Sequence, residues 1–453
     1  LASKSVPQLS SSTTSVGEIL TFQITISLPA GTSQNVVVTE NLAPTSFPNG
    51  RLVVVSSVIS SMANTITSSA GLTVGSSGVS SDAHYFDGIA DTVTFNFGNI
   101  VNAFGGVVGA QSNIVMNISA AVINDITHNV AGTTVGAQAT FSQNLRSIPL
   151  QSTTSAITIQ EPILSINMTI IGQNTTTWYG GEDVPFTVTI SHNKTGSPVS
   201  TSGAFGLQLT DLFGNGLYIK PGTVVLSSNY PLQTGVNTIT SGNGASDASL
   251  VVNIQYLPLV SDTSMDLVVN FTATVIQNVL IVSNVSNLIS LTYASIPKGG
   301  TVAGRSYSTS ASQSIYVADT SFFNHSVTAS SIPQLGSSLA SIGEFITINV
   351  SLSLPEGMME GVVIQENVAP AEYQQGRLQV ISSSITYMSS QITCTTNLQT
   401  GSQGVLQDLS FGDGLNDVAL FQFGNVTNLA DDSLNQQTSI IIQVQVLVPN
   451  TAL

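Results

Sequence analysis

Residues 17–31 read GEILTFQITISLPAG, and residues 343–357 read GEFITINVSLSLPEG. In the first stretch the apolar residues Leu20, Phe22, Ile24 and Ile26 alternate with polar ones. A period of two with many β-branched side chains is typical of a β-strand that buries one face. Both stretches therefore predict an amphipathic strand of an antiparallel sheet.

The similarity continues on both sides of this strand. VVVTENLAP at 36–44 matches VVIQENVAP at 362–370, and NGRLVVVSSVI at 49–59 matches QGRLQVISSSI at 375–385. Every pair is separated by 326 residues, as Gly343 is from Gly17. Such a constant offset over more than 100 residues indicates a duplicated domain.

The middle of the chain is a more diverged copy. GEDVPFTVTISHN at 181–193 parallels the opening strand, and LVVNFTATVI at 267–276 parallels IVMNISAAVI at 114–123. No window has a helical apolar stripe, and Gly, Pro, Asn and Ser interrupt the strands at short intervals. The sequence predicts an all-β protein of three tandem β-sandwich domains, at residues 1–160, 161–320 and 321–453.

The middle stretch, GEDVPFTVTISHN followed by LQLTDLFGNGLYIKPGTVVL, resembles the immunoglobulin-like conserved repeat of extracellular and cell-wall surface proteins. The outer copies keep its Gly-Glu pair at Gly17 and Gly343, but read Glu-Asn-Leu-Ala-Pro from Glu40 and Glu-Asn-Val-Ala-Pro from Glu366. The resemblance implies immunoglobulin-like sandwiches in a stalk, usually without catalysis, outside the cell.

The third copy is shorter than the first. The sequence stops at Leu453, the position equivalent to Thr127, so the equivalent of roughly 36 residues (127–162) is not included. We expect the third sandwich to lack its final strands and to expose an open strand edge and a core groove. Two interpretations remain open: a continuation of the chain supplies the strands, or another chain does so by β-augmentation.

Composition excludes several classes of function. The 453 residues include 8 Lys and Arg against 24 Asp and Glu, a net charge of -16. No basic stripe is available for nucleic acid or for an anionic membrane surface. No apolar run reaches the roughly 18 residues of a membrane span. The single cysteine, Cys394, excludes an intrachain disulfide, and we expect its thiol to be buried.

An Asp-Gly motif occurs in both outer copies, as DGIADTVTFNFGN at 87–99 and DGLNDVALFQFGN at 413–425. Carboxylates on a Gly-containing loop are ligands for calcium, while Asp-Gly is also a common turn. The middle copy has Asn243 at the first position, which favours the turn. Calcium remains the minority interpretation, and we expect no other cofactor. The calcium candidates are Asp87, Asp91, Asp413 and Asp417, helped by Asp82 and Asp408.

The sequence contains nine candidate N-glycosylation sites of the form Asn-x-Ser/Thr. The Asn-x-Ser/Thr count is what the Ser and Thr content produces by chance, but an exported protein would carry some of these glycans. O-glycans are possible on composition at residues 307–314. The candidate N-glycosylation sites are Asn117, Asn167, Asn174, Asn193, Asn270, Asn284, Asn324, Asn349 and Asn425.

No catalytic motif is present. The histidines His84, His128, His192 and His325 show no metal-binding spacing. Glu18, Glu182 and Glu344 recur after a glycine, which is typical of turns. The Trp178-Tyr179 pair is interpreted as a plug at a domain junction, with sugar stacking as the alternative. The chain is therefore predicted not to be an enzyme.

These observations favour a structural protein. We expect a subunit of an extracellular filament or surface stalk that assembles head-to-tail with copies of itself, with strand complementation at the open third domain. A heterologous contact that does not close gives an open filament. The alternative is a cell-surface adhesin that binds carbohydrate through loops at one domain end.

Overall fold

The computed structural model describes most of the chain as β-strand. The described residues are 1–103, 112–144, 149–172, 177–195, 198–214, 216–228, 237–245, 247–259, 266–299, 302–319, 321–335, 339–369, 377–429 and 438–450. Within these ranges there is no α-helix, a 3-10 turn lies at Pro333–Leu335, and the strands form six sheets. A helix long and apolar enough to span a membrane is likewise not found among them.

The first two sheets pack together and form the first sheet pair. One has the strand order β1-β3-β9-β5, and the other the order β2-β12-β10-β4-β8-β6, with β11 on β10 and β7 on β8. The strands are β1 Ser3–Lys4, β2 Thr13–Thr14, β3 Ile19–Ser27, β4 Gly31–Asn41, β5 Leu52–Met62, β6 Ile66–Ser68, β7 Val79–Ser81, β8 Thr92–Asn102, β9 Asn113–Val122, β10 Thr134–Ser142, β11 Leu150–Gln151 and β12 Ser155–Ile159.

The second sheet pair has the same plan. Its sheets have the strand orders β13-β15-β21-β17, with β18 on β21, and β14-β23-β22-β16-β20-β19. The strands are β13 Leu164–Ile170, β14 Thr177–Trp178, β15 Asp183–His192, β16 Ala204–Asp211, β17 Leu217–Ile219, β18 Val225–Ser228, β19 Thr238–Ser241, β20 Leu250–Leu257, β21 Leu267–Val275, β22 Ser283–Ala294 and β23 Ser306–Val317.

The third sheet pair is smaller. Its sheets have the strand orders β24-β25-β31-β27 and β26-β30-β28, with β29 on β30. The strands are β24 Phe322–Ser330, β25 Phe345–Leu354, β26 Gly357–Asn367, β27 Gln379–Met388, β28 Ile392–Cys394, β29 Val405–Gln407, β30 Val418–Asn428 and β31 Thr438–Leu447.

Alternating side chains build the cores, as the sequence predicted. Along β15, Val184, Phe186, Val188 and Ile190 are fully buried between the two sheets, and the ring of Phe186 stacks on Phe271 at 5.3 Å. Each such side chain contributes about 1.5–3 kcal/mol of burial free energy. The all-β sandwich prediction is confirmed. That the three sheet pairs are separate domains ending at residues 160 and 320 stays a prediction.

The first and second sheet pairs meet through close backbone contact. The Ser295 hydroxyl donates to the Val16 carbonyl at 2.8 Å. A Cβ on Gly17 would lie 2.6 Å from the Cα of Gly304, so these backbones touch. Beside them Val6 packs on Phe205 in a small apolar cluster.

A buried arginine reinforces this junction. Arg305, from the second sheet pair, forms an ion pair with Glu161, and the two residues are 8% and 9% exposed. Its Nε donates to Asn124 Oδ1 at 2.8 Å and its Nη2 to the Asp125 carbonyl at 3.0 Å. The Tyr307 hydroxyl donates to the same glutamate at 3.0 Å. One guanidinium thus ties the loop after β9 and the segment after β12 to the start of β23.

The third sheet pair meets the opposite end of the second. The Met358 amide donates to the Val279 carbonyl at 2.7 Å, and the Ile281 amide donates to the Met358 carbonyl at 3.0 Å. Val279 and Ile281 precede β22, whereas Ser295 follows it. The twelve residues of β22 span about 40 Å at about 3.4 Å each. The three sheet pairs therefore follow one another in series.

Candidate functional site

The Asp-Gly loops are the first candidate site, and Asp91 lies at the centre of the first loop. Its side chain is buried and accepts the amides of Ala83 and His84, each at 2.9 Å, and the Thr92 hydroxyl at 2.9 Å. Burial acts to raise the pKa of Asp91, but these hydrogen bonds outweigh it, so the pKa lies below its usual value.

The other two carboxylates of this loop also accept backbone hydrogen bonds. Asp82 accepts the amides of Phe86 and Gly88 at 2.8 and 2.7 Å, and Asp87 accepts the Ile89 amide at 2.9 Å. Both Phe86 and Gly88 have positive φ, at 55° and 84°. These contacts describe a tight turn that leads into β8.

The third sheet pair repeats this turn. Asp417 accepts the amides of Leu409 and Ser410 at 2.9 and 2.8 Å. Asp408 and Asp413 accept amides from their own loop, as their counterparts do. The hydrogen-bond pattern is thus duplicated together with the sequence.

The middle copy keeps a simpler form of the turn. Asp247 accepts the amides of Gly242 and Gly244 at 2.5 and 2.8 Å, while the Asn243 side chain binds the backbone of Val224. Among the residues that the structure describes, no group of three or more His, Cys, Asp and Glu side chains is arranged to hold a metal ion. Calcium binding at Asp87, Asp91, Asp413 and Asp417 stays a prediction.

The recurrent glutamates also close turns. Glu18 is buried and accepts the Ser15 amide at 3.2 Å and the Thr14 hydroxyl at 2.7 Å. Glu182 accepts the Tyr179 amide at 2.9 Å. Glu344 likewise accepts the Ser341 amide at 2.6 Å. Since each carboxylate binds the turn before its own strand, their recurrence has a structural cause.

The four histidines have separate partners. His84 Nδ1 lies 3.4 Å from Asp91 Oδ1, His128 Nδ1 lies 2.6 Å from a carboxylate oxygen of Asp125, and His325 Nε2 lies 3.1 Å from a carboxylate oxygen of Glu366. The fourth, His192, is buried, and burial lowers its pKa to about 4. The prediction that the chain has no enzymatic activity remains untested by this geometry.

The glycosylation candidates differ in exposure. Asn167, Asn284 and Asn324 are exposed. Asn167 and Asn324 occupy equivalent positions, because Asn167 lies opposite Thr189 on β15 and Asn324 opposite the equivalent Ser351 on β25. Asn174 lies outside the described residues. The half-buried candidates are Asn117, Asn193, Asn270, Asn349 and Asn425.

Trp178 belongs to the core of the second sheet pair. Its side chain is 2% exposed. The following glycine, Gly180, contacts the third sheet pair: a Cβ there would lie 3.2 Å from the Gly357 amide nitrogen. A buried indole offers no face to a sugar, so the aromatic platform is not formed by Trp178. The junction next to Trp178 is the one between the second and third sheet pairs.

The lone cysteine, Cys394, is half-buried at the end of β28. It packs against the core of the third sheet pair, and its Sγ lies 3.4 Å from the Leu398 carbonyl oxygen. The expectation of full burial was therefore too strong.

The third sheet pair has an open strand edge. In the first sheet pair β4 lies between β8 and β10, and in the second β16 lies between β20 and β22. The equivalent β26 pairs with β30, and among the described residues no strand pairs with its other edge at positions 362–367. On this edge Val363 is 54% exposed. The predicted open edge is present in the described part of the chain.

Among the described residues, no counterpart of β22 or β23 lies above β24. Phe323, His325 and Val327 lie opposite core residues of β25 and so face the sandwich interior, yet Phe323 is 54% and Val327 43% exposed. The equivalent of His325 in the second sheet pair is Met168, which is 3% exposed because β22 covers it. We call the space between these three residues and positions 362–367 the open slot.

The sequence did not reveal the importance of Arg305. It is one of only 8 basic residues, and no motif surrounds it. Its role depends on Glu161 and Asn124, which are 144 and 181 residues away in the sequence. The scarcity of basic residues was the single available signal.

No family model matches, and no curated protein matches. Among solved structures, the chain is similar to the C-terminal domain of the antigen I/II polypeptide BspA of Streptococcus agalactiae, with 8% identity, a TM-score of 0.36, and coverage of 67% of this chain and 94% of that one. It is also similar to the C-terminal domain of the antigen I/II-family protein AspA of Streptococcus pyogenes, with 10% identity, a TM-score of 0.35, and coverage of 66% and 94%. A further similar structure is the major pilin SpaD of Corynebacterium diphtheriae, with 9% identity, a TM-score of 0.26, and coverage of 87% and 74%.

Proposed function

We propose that this protein is a structural subunit of an extracellular filament or surface stalk, and that it works mechanically rather than by catalysis. The observation that carries the proposal is the serial arrangement of the sheet pairs. The first contacts the second beyond Ala294, and the third contacts it before Ser283, at the two ends of β22. A chain of sandwiches joined end to end extends over a distance and resists bending.

The junctions favour stiffness. Arg305 crosses the first junction with hydrogen bonds to Asn124 and the Asp125 carbonyl, and it forms an ion pair with Glu161 in the connecting segment; backbone hydrogen bonds to Met358 cross the second junction. Ordering two sandwiches by buried polar contacts removes the freedom of a flexible linker. Such joints are what a stalk requires.

The surface composition supports an exterior location. Charged residues make up 7% of the chain, against about 25% in ordinary soluble proteins. Ser and Thr occupy outward strand positions instead, as along β23, where exposed and half-buried positions alternate. N-glycans at the exposed Asn167, Asn284 and Asn324 belong to the same proposal, as does head-to-tail association with copies of the chain.

Solution scattering combined with electron microscopy tests this function. Three units of about 40 Å in series give a rod with a radius of gyration of about 35 Å, whereas a compact globule of 453 residues would have about 22 Å. Electron micrographs of concentrated protein should show filaments. Compact or non-associating particles at all concentrations would refute the filament proposal.

A further inference from the structure

We propose that the free edge of β23 pairs with the same edge of a second copy of this chain, so that two molecules associate side by side. Such lateral pairing goes beyond the proposed function, because a filament that grows head-to-tail does not require it. The edge belongs to the second sheet pair, which lies between the other two, so it does not depend on where the sequence begins or ends.

β23, residues Ser306–Val317, is an edge strand over most of its length. On one side it pairs with β22 over twelve residue pairs. On the other side the described part of the chain supplies only β14, which pairs with Tyr316 and Val317. Residues 306–314 therefore have one edge to which no described strand is bonded.

The direction of the hydrogen bonds shows which backbone groups face this edge. The Ser295 amide donates to the Arg305 carbonyl, so the odd-numbered residues of this segment face β22. The Ala318 amide donates instead to the Trp178 carbonyl of β14, on the other side. Because backbone groups alternate in direction along an antiparallel strand, the amides and carbonyls of the even-numbered residues point to the free edge. These residues are Ser306, Ser308, Ser310, Ser312 and Ser314.

This edge lacks the features that usually keep strand edges apart. Natural sheets protect exposed edges with charged side chains, prolines or β-bulges. The edge strands β5 and β27 each show two register shifts of the kind that a bulge produces, and β24 shows one. β23 pairs in unbroken register and contains neither a charged residue nor a proline. In a chain with a net charge of -16, two copies can approach at this edge with little charge repulsion.

The edge is also complementary to itself, which identifies the partner as a second copy. Two antiparallel copies related by a twofold axis at Ser310 place Ser306 of one opposite Ser314 of the other. In this register the outward amides and carbonyls of all five serines are paired, giving about ten backbone hydrogen bonds. Serine side chains allow close approach, as at Ser286 and Ser314, whose hydroxyls lie 2.7 Å apart across β22 and β23.

Pairing would cover side chains at the border of the core. Tyr307, Thr309, Ala311 and Gln313 face the sandwich interior but are only half-buried, whereas the interior-facing residues of β22 opposite them are buried. A strand added at the free edge removes part of this surface from water, which favours association. Since one strand edge buries less surface than a permanent interface, we expect the dimer to form reversibly.

Disulfide cross-linking of the full chain tests the pairing and its register. With the native thiol removed by Cys394→Ser, Ser310→Cys places one thiol at the twofold axis, where the two Cα atoms would lie about 5.5 Å apart, within reach of a disulfide. Ser290→Cys is the matched control, because Ser290 lies opposite Ser310 on β22 and is also exposed. Its two copies would be about 14 Å apart, or three strand spacings, which is too far. We expect oxidised glutathione to produce a covalent dimer of Ser310→Cys and none of Ser290→Cys.

Sedimentation equilibrium provides a second measurement. The apparent mass should rise from 46.9 kDa towards twice that value as the protein concentration increases. Ser310→Pro removes an amide that faces the free edge and keeps the bonds to β22, so it should fold and weaken dimerisation about tenfold or more. Thr309→Pro removes an amide that faces β22 and should lower the stability of the fold instead. If Ser310→Pro fails to fold, Ser310→Lys takes its place, with Ser290→Lys as the control, because two like charges would meet at the axis.

The outcomes separate this pairing from the filament function. Absence of a Ser310→Cys cross-link, or equal cross-linking of the two cysteine variants, overturns the pairing even if micrographs show filaments. A covalent dimer specific to Ser310→Cys upholds it even if no filaments form. Monomers at every concentration overturn it, since the edge is then left to water or to another segment. Sugars on the edge serines, seen by mass spectrometry of the intact protein, would also overturn it, because they would block the approach of a second strand.

Discussion

Replacing Arg305 with methionine should destabilise the protein and loosen the junction between the first and second sheet pairs. The guanidinium is buried, and it contacts Glu161, Asn124 and the Asp125 carbonyl. Methionine retains the apolar part of the side chain but none of its donors. The Glu161 side chain, 11% exposed, would then remain buried, with hydrogen bonds from the Tyr307 hydroxyl and the Ala131 amide.

The expected cost follows from that uncompensated charge. Removing one partner of a buried ion pair typically costs about 3–5 kcal/mol, because the other charge stays desolvated. Glu161→Gln removes that charge, so the double variant Arg305→Met/Glu161→Gln should recover a large part of the loss. Lys220→Met is the control: Lys220 pairs with Asp183, but the side chains are 50% and 41% exposed, so its loss should cost less than about 1 kcal/mol.

Trp178 makes the measurement selective. It is the only tryptophan of the chain and lies in the core of the second sheet pair, so its fluorescence during urea denaturation reports the unfolding of that unit. Solution scattering on the same samples should show a broader range of particle dimensions for Arg305→Met. A cost for Arg305→Met no larger than that for Lys220→Met, with unchanged scattering, would refute the idea that this ion pair holds the junction.

Three further predictions concern single sites. Burial raises the pKa of Glu40 to about 7, so the stability that this carboxyl contributes below about pH 4.5 is lost as the pH rises through 7. In calorimetry, Glu40→Gln should remove up to about 3 kcal/mol of this pH dependence of the free energy of unfolding, and an unchanged pH profile would contradict the prediction. Gly17→Ala and Gly343→Ala share the strain of a positive φ, about 1–2 kcal/mol, but a Cβ at Gly17 would collide with the second sheet pair, whereas one at Gly343 would meet nothing within 4 Å. Gly17→Ala should therefore be the more destabilising variant, and equal losses of stability would exclude a tight junction at Gly17. When the protein is expressed in an N-glycosylating secretory pathway, glycopeptide mass spectrometry should find glycans more often on Asn167 and Asn324 than on the half-buried Asn425, whose side chain accepts a hydrogen bond from the Gly361 amide. The reverse order would show that exposure does not decide occupancy.

Local patterns in the sequence predicted the strands and turns because their causes are local. The alternation around Phe22 produces β3, and Asp82 closes its turn with amides no more than six residues away. The junctions were not predictable in this way. The partners of Arg305 come from the loop after β9 and the segment after β12, and only the folded chain brings them together.

Trp178 illustrates the same limit. A Trp-Tyr pair beside two glycines fits an exposed platform and a buried plug equally well in sequence. The choice depends on whether other strands cover the indole, and here the side chain is 2% exposed within the core of the second sheet pair. Exposure of a single aromatic residue is a property of the packed sheets and not of its neighbours in sequence.

The two outer copies share their local backbone conformation but differ in how far neighbouring strands bury their side chains. Gly17 and Gly343 precede equivalent strands and have nearly the same φ, 89° and 86°, so the local fold is the same in both copies. Yet Val16 is fully buried, whereas its counterpart Ile342 is 66% exposed. Val16 packs with Ile157 and other residues of β10 and β12, strands whose counterparts the described third sheet pair does not contain. Because an isoleucine is at least as apolar as a valine, the difference cannot come from the side chain. In the first copy the cover comes from β10 and β12 and from the second sheet pair, whose Ser295 hydroxyl binds the Val16 carbonyl, so burial at this position is set by the neighbouring strands and not by the repeat's own sequence.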